Sequence, residues 1–137
     1  MSKKSIHNAD NTTVLVIEDD PWFMDVQAIR LNEAGYDVVR ARHTLEAIEL
    51  IDSVAPQVII ADVLLAGSTI FTLLHELQSH ADTQVIPVVL CTSVAEQFMS
   101  TDLSHYGVRR VVDKTTMELD EIVVAVRSVL NGVSRED

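Results

Sequence analysis

The stretch Val14-Leu15-Val16-Ile17-Glu18-Asp19-Asp20 sets a short, mostly β-branched apolar run directly against three carboxylates. Val58-Ile59-Ile60-Ala61-Asp62 repeats the device with a single carboxylate. Runs this short and this free of polar side chains read as parallel strands buried on both faces. In an open parallel sheet the carboxyl ends of neighbouring strands converge on one crevice at the topological switch point. Carboxylates held a few ångströms apart there repel one another by several kcal/mol. A bound cation relieves that repulsion, and an oxygen-only donor set suits Mg²⁺. The pattern reads as a phosphate-handling metal site.

Outward from these two runs, the chain alternates apolar runs with amphipathic stretches. Strands are expected near 13–18, 36–40, 57–61, 85–90 and 108–112, and helices near 21–34, 44–53, 67–79, 94–103 and 117–131. Asp20 can N-cap the first helix, Pro21 suits its first position and Gly35 can close it. Asn131-Gly132 is expected to end the last helix in the same way. Pro56 and Gly107 sit where turns belong, just before the third and fifth strands. Strict βα alternation implies right-handed crossovers with helices on both faces.

The 137 residues suit one domain with a sizeable core. A leader is expected over 1–11, the folded domain over 12–131, and a short tail over 132–137 that leaves no room for an output domain. The polar residues that follow Met1-Ser2-Lys3-Lys4 do not make a secretory signal, and Asp62 interrupts the longest apolar candidate for a membrane span. A net charge of −11 argues against direct nucleic-acid binding. The single cysteine, Cys91, lies within Val88-Val89-Leu90-Cys91; it reads as a buried structural thiol and fits a reducing cytoplasm. His7, His43, His75, His80 and His105 share no metal-ligand spacing and read as surface residues.

With Glu18-Asp19 after strand one, Asp62 after strand three, Thr92 after strand four and Lys114 after strand five, the chain resembles the receiver domain of two-component response regulators. The resemblance runs from about Thr12 to Leu130 and implies a flavodoxin-like (βα)₅ fold, a doubly wound five-stranded parallel sheet in the order 2-1-3-4-5. It implies that Asp62 is the phospho-acceptor, and that Glu18, Asp19 and Asp62 hold Mg²⁺ together with the backbone carbonyl of Leu64. Thr92 and Lys114 would contact phosphoryl oxygens. A carboxylate attacks phosphorus competently once a cation offsets the repulsion between two anions. Positioning and charge neutralisation are most of what phosphoryl transfer requires, so no separate base is needed. Asp20 reads as a helix cap rather than a metal ligand.

The chain also departs from the family. Receivers usually carry Pro at the position of Ala66 and Gly at that of Ile70, though Gly67 is kept. Ile70 cannot readily take a positive φ. Thr115 stands where a cis-proline normally follows the lysine. A cis bond there would cost about 2.5–4 kcal/mol, so a trans peptide is expected. Val111 replaces the usual aromatic switch residue. Leu64 and Val94, both apolar, flank the path of an attacking water, which predicts slow loss of phosphate. Trp22, near the acidic cluster, is either a partner contact or packed against a loop.

The reading that results is a stand-alone cytoplasmic receiver, monomeric or weakly dimeric. It would accept phosphate from a sensor histidine kinase or histidine phosphotransfer protein and alter binding of a downstream target protein. Phe98, Met99 and Leu103 would supply apolar contacts on the output face. A receiver-like interaction module acting without phosphorylation is the alternative. A phosphatase or phosphotransferase would want an aspartate where Leu64 stands, so no independent substrate turnover is expected. A flavin binder would want a hydroxyl- and glycine-rich phosphate loop in place of Glu18-Asp19-Asp20.

Overall fold

A computed structural model describes residues 11–65, 68–99 and 102–135. Its chain order is β1 (Thr13–Ile17), α1 (Pro21–Glu33), β2 (Asp37–Ala41), α2 (Thr44–Val54), β3 (Val58–Ala61), β4 (Leu64–Leu65), β5 (Ser68–Thr69) and α3 (Ile70–Gln78). There follow β6 (Val88–Thr92), α4 (Glu96–Met99), a 3₁₀ turn (Ser104–Tyr106), β7 (Val108–Asp113) and α5 (Glu121–Arg135). The main sheet is parallel in the order β2-β1-β3-β6-β7. Counting only its own strands, that is the expected 2-1-3-4-5. β4 and β5 form a separate two-stranded antiparallel ribbon.

Alternation along the strands divides the core in two. Leu15, Ile17, Ile59, Ala61, Val88 and Leu90 face α2 and α3, packing with Ala47, Ile51, Leu73, Leu74 and Leu77. Val14, Val16, Val58, Ile60, Val89 and Cys91 face α1 and α5, packing with Phe23, Leu31, Ile122, Val126 and Val129. Strands sandwiched in this way need apolar side chains on both faces, hence the unbroken runs in the sequence. Cys91 is buried, and that burial pushes its thiol up to about 12, as suits a packing residue.

Local punctuation at α1 is as expected. The Asp20 carboxylate accepts from the Trp22 amide at 3.0 Å, Pro21 opens the helix, and Gly35 follows it at φ 100°. Ala55, with φ 51°, closes α2 in the left-handed region. Gly107, at φ 90°, turns the chain into β7; a Cβ there would lie 3.3 Å from the Gln78 side chain and 3.5 Å from the Ile86 carbonyl.

Several boundaries correct the sequence expectations. The strand expected at 85–90 runs Val88–Thr92, because Pro87 has no amide to donate and the Ile86 amide is committed to the Thr83 carbonyl. The helix expected from 67 begins at Ile70, since Ser68 and Thr69 pair with Leu65 and Leu64. Ile70 is buried and has no positive φ; Ala66 and Gly67 lie outside the described residues. Of the helix expected over 94–103, the described residues show Glu96–Met99, and Leu103 already precedes the 3₁₀ turn, with the Asp102 carboxylate accepting from the Ser104 amide and hydroxyl. The last helix starts at Glu121 rather than 117, because the Thr116 and Met117 amides are drawn back to the Asp113 carbonyl. It also passes through Gly132 to Arg135. One glycine costs a helix only about 1 kcal/mol, too little to stop one that is anchored by Ile122, Val126 and Val129. No described helix is long and apolar enough to cross a membrane.

Candidate functional site

Parallel pairing sets the carboxyl ends of β1, β3, β6 and β7 side by side, so Glu18, Asp62, Thr92 and Lys114 emerge at one edge of the sheet. Glu18 and Asp62 are buried polar residues, and Thr92 is fully buried. Lys114 joins the two carboxylates: its Nζ lies 2.7 Å from Asp62 Oδ2 and 3.0 Å from Glu18 Oε1. The remaining oxygens are also engaged. The Leu64 amide donates to Asp62 Oδ1 at 3.0 Å, and the Asp20 amide donates to Glu18 Oε2 at 3.1 Å. Thr92 Oγ1 accepts from the Val94 amide at 3.3 Å. Asp19 is exposed, and its side chain is not drawn into this network.

The electrostatics follow from burial and pairing. Desolvation lifts the Glu18 carboxyl above its usual range, partly offset by Lys114. Burial works to lower the Lys114 ammonium, but hydrogen bonds to Asp62 and Glu18 outweigh it and hold the group above its usual range. Lys114 is thus a firmly charged cation between two carboxylates.

The sequence did not single out Phe23, whose ring centroid lies 4.6 Å from Lys114 Nζ. An aromatic face under an ammonium adds attraction and shields one side of it from water. Three residues beyond Asp20 on a capped helix, Phe23 is placed where only the packing of α1 on the sheet could reveal its role. Nor did the sequence single out Asp113, whose Oδ1 accepts from the Thr115 amide at 2.9 Å and the Thr115 hydroxyl at 2.7 Å. The Lys114–Thr115 peptide is trans, as expected. Lys114 reaches both carboxylates regardless.

Val111 is half-buried and packs, with Val94, Phe98 and Tyr106, against the core cluster that includes Leu103. Trp22 is 67% exposed, its ring 6.3 Å from that of Phe23 at a tilted angle, so it is not buried beneath a loop. His43, His75, His80 and His105 are all exposed, and His7 lies outside the described residues.

Among the described residues, no group of three or more His, Cys, Asp or Glu side chains is gathered closely enough to hold a metal ion. The donor chemistry nevertheless suits a hard divalent cation. Glu18 and Asp62 are buried carboxylates that share one ammonium, Asp19 is adjacent and exposed, and every donor is oxygen.

A 2-1-3-4-5 parallel sheet whose strand ends assemble acidic residues, a hydroxyl and a lysine defines the receiver class of flavodoxin-like domains. A family model described as the response regulator receiver domain matches residues 14–127, and the chain belongs to that family. Its members are signalling modules of two-component systems. The chain is 28% identical over 122 residues to the DNA-binding dual master transcriptional regulator RpaA of Synechocystis, covering 89% of this chain and 50% of RpaA. It therefore spans half the length of that relative. A response regulator from Chloroflexus aurantiacus superposes with a TM-score of 0.77 at 29% identity, covering 89% of this chain and 99% of that one. The response regulator TrrA of Thermotoga maritima, solved in complex with Mg²⁺–BeF, superposes with a TM-score of 0.73 at 22% identity, covering 85% and 97%.

Proposed function

We propose that this domain, spanning residues 12–131, is a phospho-switch that accepts a phosphoryl group on Asp62 from a histidine kinase or histidine phosphotransfer protein. The observation that carries the reading is the 2.7 Å contact between Lys114 Nζ and the buried Asp62 carboxylate, with Glu18 on the same ammonium. An Asp62 oxygen attacks phosphorus, the bond from phosphorus to the donor imidazole nitrogen breaks, and the imidazole leaves with its electron pair. Lys114 then transfers its pairing from the Asp62 carboxylate to a phosphoryl oxygen, as a point charge on a flexible stem can. The Thr92 hydroxyl donates to a second phosphoryl oxygen. Glu18, Asp19, Asp62 and the Leu64 carbonyl are the ligands proposed for Mg²⁺. When bound, the ion would neutralise charge between the incoming phosphoryl group and the acidic cluster.

The output proposed is altered binding of a downstream protein, independent of nucleic acid and membrane. A second reading, a module that binds its partner without phosphate, is favoured by one observation: Val111 offers no ring to turn inward when Thr92 moves. Intact mass after incubation with Mg²⁺ and acetyl phosphate, with Asp62→Asn as control, separates the two. A single phosphoryl gain that needs both Mg²⁺ and Asp62 supports the switch. No gain, with no measurable Mg²⁺ binding, leaves the phosphate-independent module.

A further inference from the structure

Lys114 reaches two carboxylates from a trans peptide, so something other than a cis bond sets the direction in which it leaves β7. The residues on either side supply the answer. Asp113 ends β7 in register with Thr92 on β6, which fixes its depth in the sheet. Its Oδ1 takes both the amide and the hydroxyl of Thr115, at 2.9 and 2.7 Å. Its carbonyl takes the Thr116 and Met117 amides at 3.3 and 3.0 Å, and the Lys114 amide itself donates to the Thr92 carbonyl at 3.0 Å.

We propose that Asp113 and Thr115 are positioning residues for Lys114, closing a side-chain-bridged turn that aims its ammonium between Asp62 and Glu18. The proposal rests on the reading of Lys114 as the cation that faces the phosphoryl group. An aspartate bonded to the amide two residues on imitates a backbone turn, and here the threonine hydroxyl doubles the closure. The lysine stem has several free rotors, so a fixed origin and direction decide how often the ammonium lies at the reacting oxygens. A displacement of about 1 Å at a positioning group can cost on the order of a hundredfold in rate. The two Thr115 bonds also hold the Asp113 carboxyl below its usual range.

The test is a double-mutant cycle on the full chain. Asp113→Ala and Asp113→Asn are made with and without Lys114→Met, and phosphoryl gain from acetyl phosphate and Mg²⁺ is timed by intact mass. Asp113→Ala is expected to slow the gain roughly tenfold. Asp113→Asn keeps an acceptor oxygen and is expected to restore the rate to within about threefold. Adding Asp113→Ala to Lys114→Met is expected to slow the reaction no further, because the aspartate acts through the lysine. An unchanged rate in Asp113→Ala, or the same loss on both lysine backgrounds, would overturn the positioning role. If the wild-type chain takes no phosphate, the phospho-acceptor reading fails by itself, and a crystal structure of Asp113→Ala decides the positioning claim. Lys114 Nζ still bonded to both Asp62 and Glu18 would sink it; loss of those contacts would bear it out.

Discussion

The amide of Lys114 donates to the carbonyl of Thr92 at 3.0 Å, so the cation and the hydroxyl proposed to meet the phosphoryl group are built on one shared backbone bond. Thr92 is fully buried and pairs across the sheet with Asp113, the residue before the lysine. The two groups form one unit at the ends of β6 and β7. A displacement of the loop after β6 therefore pulls on the origin of the lysine as well as on the hydroxyl, and a change at either is felt at both.

Removing the ammonium should destabilise the fold before any chemistry is considered. Lys114→Met leaves the Glu18 and Asp62 carboxylates buried without their cation, and loss of one partner from a buried pair typically costs about 3–5 kcal/mol. Some exposure of the lysine stem places the expectation just below that range, about 2–3 kcal/mol at pH 7 in metal-free buffer. Urea unfolding with and without Mg²⁺ measures it, and Mg²⁺ should recover part of the loss by binding only the folded state. No response of the variant to Mg²⁺ would count against Glu18 and Asp62 as ligands.

Glu18 gives a pH signature of defined sign. Burial raises its carboxyl in the fold, with Lys114 offsetting part of the shift. A group whose pKa is raised on folding favours the fold fully below its unfolded value, and that contribution is lost as pH rises through the folded value. Above that window the ionised carboxylate weighs against folding. Glu18→Gln keeps the shape and an acceptor for Lys114 without the charge. It is expected to raise stability at pH 7 by on the order of 1 kcal/mol, about 3–5 °C in Tm, in the absence of metal. Calorimetry near pH 4 should find the gap between variant and parent closing. A gap that widens on acidification would reverse the assignment.

Which parts of the molecule were legible follows from how local their causes are. β1 and β3 were plain because strands buried on both faces admit almost no polar side chain, and the residue at which each run ends marks the crevice. The Asp20-Pro21 start and Gly35 stop of α1 are short-range hydrogen-bond and φ requirements, and they held. The β4–β5 ribbon was not legible, since two residues per strand carry no period. Gly132 misled because its stop signal competes with tertiary anchoring that a local reading does not weigh. The place of Phe23 beneath Lys114 depends on the angle at which α1 meets the sheet, which no stretch of sequence encodes by itself.

Ala55 carries an avoidable cost. It closes α2 at φ 51° and ψ 61°, where an L side chain sets its Cβ against the following carbonyl at about 1–2 kcal/mol. Glycine takes that conformation freely but loses more chain entropy on folding. The net expectation for Ala55→Gly is a gain of about 0.5–1 kcal/mol in urea unfolding, with no change in phosphoryl gain, because the position lies at the opposite end of the sheet from Asp62. A loss of stability would mean that the methyl group contributes packing beyond what the backbone strain removes.

The lifetime of the phosphorylated state is expected to be set by two apolar side chains. Leu64 is 56% exposed, and its amide is bonded to Asp62; the Val94 amide is bonded to the Thr92 hydroxyl. Their side chains start two residues beyond the proposed acceptor and beyond the hydroxyl proposed to donate to a phosphoryl oxygen. Neither can accept a proton from, or orient, a water approaching phosphorus, and a positioned polar group is what speeds such an attack. Leu64→Asn with Val94→Glu should therefore shorten the half-life of the phosphoryl adduct by on the order of tenfold, followed by intact mass after the donor is removed. Leu64→Met, equally apolar, should leave it unchanged. Equal half-lives in all three proteins would mean that water reaches phosphorus by a route these side chains do not guard, and would shift attention to the ligands that hold the departing phosphoryl group.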